Sequence, residues 1–251
     1  MTMPPTDKPP TAAMLVIGDE ILSGRTKDRN AGHLAERLDP VGIALREIRV
    51  VPDETARIVD AVNALRRSYT YVFTSGGIGP THDDITAAAI AEAVGQPLIE
   101  DDRAIAILEE YYHERNLPFT AARRRMTRMP EGSSLIQNRV SAAPGFVALN
   151  IYVMAGIPSV FSAMLDAVLP TLQLSEPLKI ETVATGLGEG VFGEALAEIA
   201  ERYPSMSIGS YPRHDGTHYT AEIVIRGIDA GAVADARADI IAMLDELVGE
   251  N

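Results

Sequence analysis

Short apolar runs that stop abruptly at glycine-bearing polar loops alternate with helical periodicity along the first two thirds of this 251-residue chain. That alternation restricts the fold more than any other feature. Residues 12–17 (Ala-Ala-Met-Leu-Val-Ile) end at Gly18-Asp19-Glu20, and the apolar, β-branched residues 69–74 end at Ser75-Gly76-Gly77. Apolar runs without polar alternation mark strands buried on both faces, as in parallel sheets. Between them, residues 28–38 space Ala31, Leu34, Ala35 and Leu38 at helical intervals behind Asp28 as a cap, residues 43–51 alternate as a strand, and residues 55–65 are helical. Such an order predicts a parallel sheet with helices on both faces and right-handed crossovers, its chemistry lying just beyond the carboxyl ends of the strands.

The pattern continues with helices over residues 84–94 and 101–115, a basic segment over 121–128 stopped by Pro130, strands over 134–136 and 146–155 around a Pro-Gly turn, and a closing helix over 159–168 before Pro170. Residues 179–184, 191–202, 206–210, 219–226 and 232–248 then read strand, helix, strand, strand, helix, which makes a separate α+β lobe. The expected organisation is a proline-rich flexible tail over residues 1–11, an α/β domain over 12–170 and a smaller lobe over 171–251.

With 46% apolar residues the chain can bury a substantial core. The absence of cysteine excludes disulfide frameworks, zinc–thiolate sites, iron–sulfur ligation and a cysteine nucleophile. A formal charge of −13 argues against nucleic acid and anionic membranes as partners. The charge is uneven: residues 171–251 hold 14 acids and 5 bases, net −9, which leaves −4 for residues 1–170. No run of eighteen apolar residues occurs, and the amino terminus lacks the long apolar core of a secretory leader, so the expectation is a cytoplasmic chain.

The most specific stretch is Thr74-Ser75-Gly76-Gly77-Ile78-Gly79-Pro80-Thr81-His82-Asp83-Asp84-Ile85-Thr86, a glycine loop between strand and helix. Glycines let backbone amides approach a ligand closely, and a helix start adds free N–H donors for an anion. The spacing matches neither the dinucleotide fingerprint nor the P-loop. A tight turn with Asp83 or Asp84 as helix cap accounts for the loop about as well until the paired carboxylates are considered. Beside a diphosphate, acids are useful where a hard cation bridges them to it. Gly18-Asp19-Glu20-Ile21-Leu22-Ser23-Gly24, followed by Asp28 and Asn30, lies at the mouth of the first strand, and Asp53 follows the next. Each alone reads as loop or cap; together they place several acids on one sheet edge, one of them a candidate general base. Of the basic cluster Arg123, Arg124, Arg125 and Arg128, Arg128 is the first candidate for phosphate docking, although a solvated face is the commoner role. His82 reads as either a phosphate donor or an exposed loop residue, and His214 and His218 as a hairpin surface.

The first-strand motif and the glycine loop, with Asn138, Ala143-Pro144-Gly145-Phe146, Gly156-Ile157-Pro158 and Ile208-Gly209-Ser210-Tyr211-Pro212, resemble the molybdopterin-binding-like region of the competence/damage-inducible protein A family over nearly the whole chain from Ala12. The resemblance implies a three-layer α/β/α fold with a mostly parallel sheet, shared with molybdopterin adenylyltransferases and the amino-terminal domain of some FAD synthases, plus the smaller C-terminal α+β lobe. It implies a metal- and potassium-dependent ADP-ribose pyrophosphatase giving AMP and ribose 5-phosphate, without the nicotinamide mononucleotide deamidase domain found elsewhere in the family. Two alternatives are an adenylyltransferase-like protein of molybdenum cofactor synthesis and a nucleotide-binding module without turnover. Carried onto this chain, the catalytic and metal-binding residues are Asp53 and Asp84, with Mg, Mn or Co, and possible potassium, as cofactors. The residues expected to hold the nucleotide and its phosphates are Gly18, Asp19, Glu20, Asn30, Thr74, Ser75, Gly76, Gly77, Gly79, Thr81, Asp83, Pro144, Gly145, Gly156 and Pro158. ADP-ribose, FAD or a pterin-like molecule is the expected partner, and the chain is expected to be a homo-oligomer. One departure stands out: where the family carries a glutamate after Gly-Val-Pro-x, this chain has Val160.

Overall fold

A computed structural model describes residues 9–173, 175–214 and 219–249, and the chain divides into two compact units at Ser175 and Glu176. The first unit runs β1 (Thr11–Ile17), α1 (Asp19–Leu22), α2 (Asn30–Leu38), β2 (Ala44–Val51), α3 (Thr55–Ser68), β3 (Tyr71–Ser75), α4 (Thr86–Val94), β4 (Leu98–Glu100), α5 (Asp102–Glu114), α6 (Ala121–Arg124), β5 (Arg128–Pro130), β6 (Ser134–Ile136), β7 (Gly145–Ala148), β8 (Ile151–Met154) and α7 (Pro158–Val168). Its main sheet has the order β2-β1-β3-β8-β7-β6, parallel from β2 to β8 and antiparallel beyond. β4 and β5 form a separate antiparallel ribbon.

The three-layer α/β/α reading of this unit holds. Met14, Val16 and Phe73 face one core with Leu34 and Phe161, whereas Leu15, Ile17 and Val72 face the other with Ile58 and Ile90. Alternate residues of one apolar strand thus feed both layers, and strands β1 and β3 carry no solvent face. The chain leaves β1 for β2 on one side and reaches β3 on the other, so the order reverses between β1 and β3. Such a reversal opens a crevice at the carboxyl ends of the strands.

Three local readings need correction. Residues 146–155 do not form one strand: Leu149, at φ 56°, turns the chain so that β7 and β8 pair as a hairpin, and the Asn150 amide fastens the turn to the carbonyls of Arg66 and Tyr69, both at 3.0 Å. Pro130 does not stop the basic segment but lies within β5. β1 begins at Thr11, inside the expected tail, whose first eight residues lie outside the described residues. The capping role read for Asp28 holds: it accepts from the amide of Ala31 at 3.0 Å, from two positions before the first residue of α2.

The second unit contains β9 (Lys179–Thr185), α8 (Glu189–Arg202), β10 (Ser207–His214), β11 (Tyr219–Gly227) and α9 (Ala230–Gly249). Its antiparallel sheet has the order β10-β11-β9 and packs Val183, Ile223 and Ile225 against Phe192 of α8 and Ile240 of α9. Residues 215–218 lie outside the described residues, so the hairpin reading of His218 does too; the side chain of His214 is likewise not described. Among the described residues no helix is long and apolar enough to cross a membrane.

Candidate functional site

At the carboxyl edge of the main sheet, the loops after β3 and β8 and the segment before β7 enclose an open cleft of about 540 Å³. Gly76, Gly77, Gly79 and Asp84 form one wall; Pro144, Gly156, Pro158 and Val160 lie among the residues of the others, with Glu20 at the rim. Eight of the residues expected to bind ligand or metal therefore meet in one place: Glu20, Gly76, Gly77, Gly79, Asp84, Pro144, Gly156 and Pro158.

The glycine loop has its shape for steric reasons. Gly76 sits at φ 108°, and a Cβ there would lie 2.2 Å from the carbonyl oxygen of Ile17, so the loop presses against the end of β1. At Gly77, φ 69°, a Cβ would strike the Thr86 hydroxyl at 2.1 Å. Thr86 is fully buried; its hydroxyl donates to the Gly76 carbonyl at 3.0 Å and its amide to the Gly77 carbonyl at 3.0 Å. The first turn of α4 thereby fixes both glycines. Thr86 closes the glycine motif but is not among the residues expected to bind ligand; its place at the start of a helix after the loop is the signal for its positioning role.

Asp84 is held within the same loop, accepting from the amide of Thr81 at 2.7 Å and from its hydroxyl at 2.5 Å. Thr81 thus orients Asp84 and does not itself line the cleft. Asp83 and His82 are exposed, the latter 93% accessible at its side chain, which supports the exposed-loop reading of the histidine. Arg125 donates to the Thr81 carbonyl at 3.2 Å, whereas Arg128 lies 3.7 Å from Glu100 in an ion pair shared with Arg124. Both Arg125 and Arg128 line a small pocket beside Gly77, Gly79 and Asp84, and of the two Arg125 is hydrogen-bonded to the loop.

Asp53 stands apart from Asp84. Its carboxylate accepts from the amide of Asp19 at 2.9 Å, and it is not among the cleft-lining residues. Burial raises its pKa above the ordinary carboxylate value; the Asp19 amide opposes that rise, and the negative charges of Asp19, Glu20 and Asp83 add to it. Gly18 is buried at the head of α1, its amide bonded to the Val51 carbonyl at 3.2 Å, so it joins β1 to β2 at this edge.

Four residues expected to touch ligand do not line this cleft, and each has a structural role; Asn30 and Ser75 line a smaller pocket beside it with Glu20 and Gly156. Thr74 is fully buried in β3, its hydroxyl without a hydrogen-bond partner, and does not line the cleft. Ser75 accepts from Asn30 Nδ2 at 2.7 Å, and the same nitrogen donates to the Gly156 carbonyl at 2.8 Å. Asn30, only 4% exposed, therefore ties α2, β3 and the loop after β8 together. Gly145 is buried where a Cβ would lie 2.4 Å from the Val153 carbonyl, so close strand packing explains it. Asn138 belongs to the family resemblance but not to the expected ligand contacts. It lines the cleft and shapes the neighbouring loop, donating to Ala143 O at 2.9 Å and accepting from Val140 N at 3.0 Å.

Among the described residues no group of three or more His, Cys, Asp or Glu is placed to hold a metal ion. A self-contained protein cage does not exist there. Asp84 in the cleft, and the acidic edge around Asp53, instead suit a hard ion that takes one or two carboxylates and completes its shell with water and substrate oxygens.

Comparison with known proteins agrees with the fold. Residues 13–174 match the family described as probable molybdopterin binding domain, and residues 177–250 match the FAD synthase middle domain. A protein of Pyrobaculum calidifontis is 31% identical over 250 residues, covering 95% of each chain. A probable FAD synthase of Caenorhabditis briggsae is 30% identical over 98% of this chain, which spans 51% of that protein. Among solved structures, the protein CinA of Thermoplasma acidophilum, of unknown function, aligns with a TM-score of 0.59 at 32% identity, over 64% of this chain and 98% of that one. This chain belongs to the molybdopterin-binding domain family and is CinA-like.

Proposed function

We propose that the cleft binds a small molecule in which a diphosphate joins a nucleoside to a second group, and that the protein hydrolyses that diphosphate in the manner of an ADP-ribose pyrophosphatase. The observation that carries this reading is the loop at Gly76, Gly77 and Gly79, whose backbone forms a cleft wall beside a carboxylate, Asp84, already oriented by Thr81. Backbone close to the ligand suits phosphate oxygens, and the apolar surface of Val160, Met164 and Pro158 suits a flat heterocycle.

In this reading Asp84 would supply the cleft's carboxylate to a divalent cation such as Mg, Mn or Co, which would neutralise charge on the diphosphate and polarise it, and the resemblance gives the same role to Asp53, which lies outside the cleft lining. Asp53 is positioned by the Asp19 amide, and Glu20 at the rim orients ribose. Asn30 acts indirectly, by fixing the loop carrying Gly156. Purified protein given ADP-ribose, each of the three metals and potassium should release AMP and ribose 5-phosphate, and Asp84→Asn should abolish release. Lack of turnover with every metal overturns the hydrolase assignment.

A second reading is favoured by the family match: the same cleft takes a pterin-like ligand, bound or adenylylated. Stabilisation of the protein by molybdopterin but not by ADP-ribose would establish it in place of the first.

A further inference from the structure

The small pocket at Arg125 and Arg128, about 50 Å³, shares Gly77, Gly79, Asp84 and Pro144 with the cleft, whereas the two arginines belong to it alone. Local geometry brings both there. Arg125 donates to the carbonyl of Thr81, the residue that orients Asp84, so its guanidinium stands beside the shared wall. Arg128 is in register with Glu100 across the β4–β5 ribbon, and Leu98, two residues from Glu100 and hence on the same face of β4, lines the same pocket. Glu100 does not consume Arg128. Its carboxylate accepts from Arg124 at 2.7 Å, whereas Arg128 stands 3.7 Å away, beyond hydrogen-bond length. Among the described residues the Arg128 side chain has no hydrogen-bond acceptor, and Asp84 is already bonded to the amide and hydroxyl of Thr81. Ala87 and Ala88, in the first turn of the nine-residue α4, complete a lining that favours negative charge.

We propose, resting on the diphosphate reading above, that the nucleotide taken by the cleft carries a phosphomonoester on the sugar beyond its diphosphate, and that Arg125 and Arg128 hold that phosphate. The order of the walls gives its position. Pro158, Val160 and Glu20 line the cleft and not the pocket, the glycine loop lines both, and the arginines line only the pocket. A ligand with its heterocycle on the apolar wall and its diphosphate at the loop therefore directs its far sugar toward the arginines. A phosphate on the nucleoside ribose, beside Glu20, points away from them. Two guanidiniums with most of their donors unspent match the dianion of a phosphate better than the single charge of a carboxylate.

The test is calorimetric titration of the full chain with ADP-ribose, with its 1″-phosphate, which is phosphorylated on the far ribose, and with its 2′-phosphate, which is phosphorylated on the adenosine ribose. Titrations are run in EDTA and again with calcium. The 1″-phosphate should bind at least about tenfold more tightly than ADP-ribose, and the 2′-phosphate should show no such gain. Inorganic phosphate should compete with the 1″-phosphate for the arginines and reduce its gain, which separates a phosphate carried by the nucleotide from a free one. Arg128→Gln, first shown by its melting curve to be folded, should bring the affinities of ADP-ribose and the 1″-phosphate within about twofold of each other, and Arg128→Lys should keep part of the gain. No gain for the 1″-phosphate under either condition, an equal gain for the 2′-phosphate, or a gain that survives in Arg128→Gln overturns the proposal. AMP release from ADP-ribose without a gain for the 1″-phosphate defeats this inference and leaves the hydrolase reading standing; a gain without AMP release does the reverse.

Discussion

The side-chain nitrogen of Asn30 donates to the carbonyl of Gly156 at 2.8 Å while the same group donates to Ser75 Oγ at 2.7 Å, so one buried amide joins the end of β3 to the loop after β8, which are distant in sequence. Asn30→Ala leaves a buried carbonyl and hydroxyl without their donor, at a cost of about 1–3 kcal/mol. The carbonyl of Gly156 cannot donate, so Asn30→Asp sets an acceptor against an acceptor and should be the worse variant. Thermal melts should rank wild type above Ala above Asp. Ligand affinity should fall in both variants, because the loop after β8 loses its tether.

Two glycines of one loop should fail differently. Gly76→Ala places a Cβ 2.2 Å from a backbone carbonyl of β1 at φ 108°, and neither can yield without moving the strand. At Gly79 a Cβ would meet Asp84 Oδ2 at 2.7 Å, the movable end of a side chain. Gly76→Ala should therefore lower the melting temperature by several degrees, whereas Gly79→Ala should melt close to wild type while displacing Asp84. Turnover of ADP-ribose by Gly79→Ala should drop at least tenfold; turnover that survives would show that the orientation of Asp84 is immaterial.

Features governed by local chemistry are legible in the amino-acid sequence, and those governed by distant partners are not. Strands β1 and β3 can be read because burial on both faces leaves uninterrupted apolar runs ending at glycine. The hairpin between β7 and β8 cannot, because its turn places Leu149 at positive φ where glycine would normally announce it. The cleft is legible where backbone shape decides the residue, at Gly76, Gly77 and Gly79. Residue type misleads at Thr74, Asn30 and Gly145, where the same residues serve burial, tethering and close packing. Asn30 finds partners 45 and 126 residues away, which no local pattern contains.

Asp101 gives a pH signature independent of the cleft. It caps α5 through the amides of Arg103 and Ala104, and the Arg103 guanidinium binds its carboxylate at 2.7 and 3.0 Å. That guanidinium, with the two amides, holds the Asp101 carboxyl below its ordinary value, against the opposing effect of burial. A carboxyl depressed in the folded state stabilises fully above its unfolded value of about 3.9 and ceases to do so as pH falls through the lower folded value. Asp101→Asn keeps the cap and loses the ion pair, so it should cost about 1 kcal/mol at pH 7. The gap in melting temperature from wild type should close as pH falls from 5 toward about 2. A gap that persists unchanged there would mean that the carboxylate charge contributes nothing.

Val160 tests which part of the ligand lies on the apolar wall. It is 5% exposed, in the first turn of α7, and lines the cleft with Met164 and Pro158 at the position where the resembling family carries glutamate. Val160→Glu puts a carboxylate into that wall; the start of α7 offsets part of the desolvation, since a helix amino terminus favours negative charge. A folded variant with stability reduced by about 1–3 kcal/mol is expected. If a flat heterocycle packs on Val160, calorimetric affinity for ADP-ribose should fall roughly tenfold in Val160→Glu and be retained in Val160→Ile, since about 1.4 kcal/mol of lost apolar contact corresponds to that factor. Unchanged affinity in the glutamate variant would place the ring elsewhere in the cleft and leave this wall to the linking sugar.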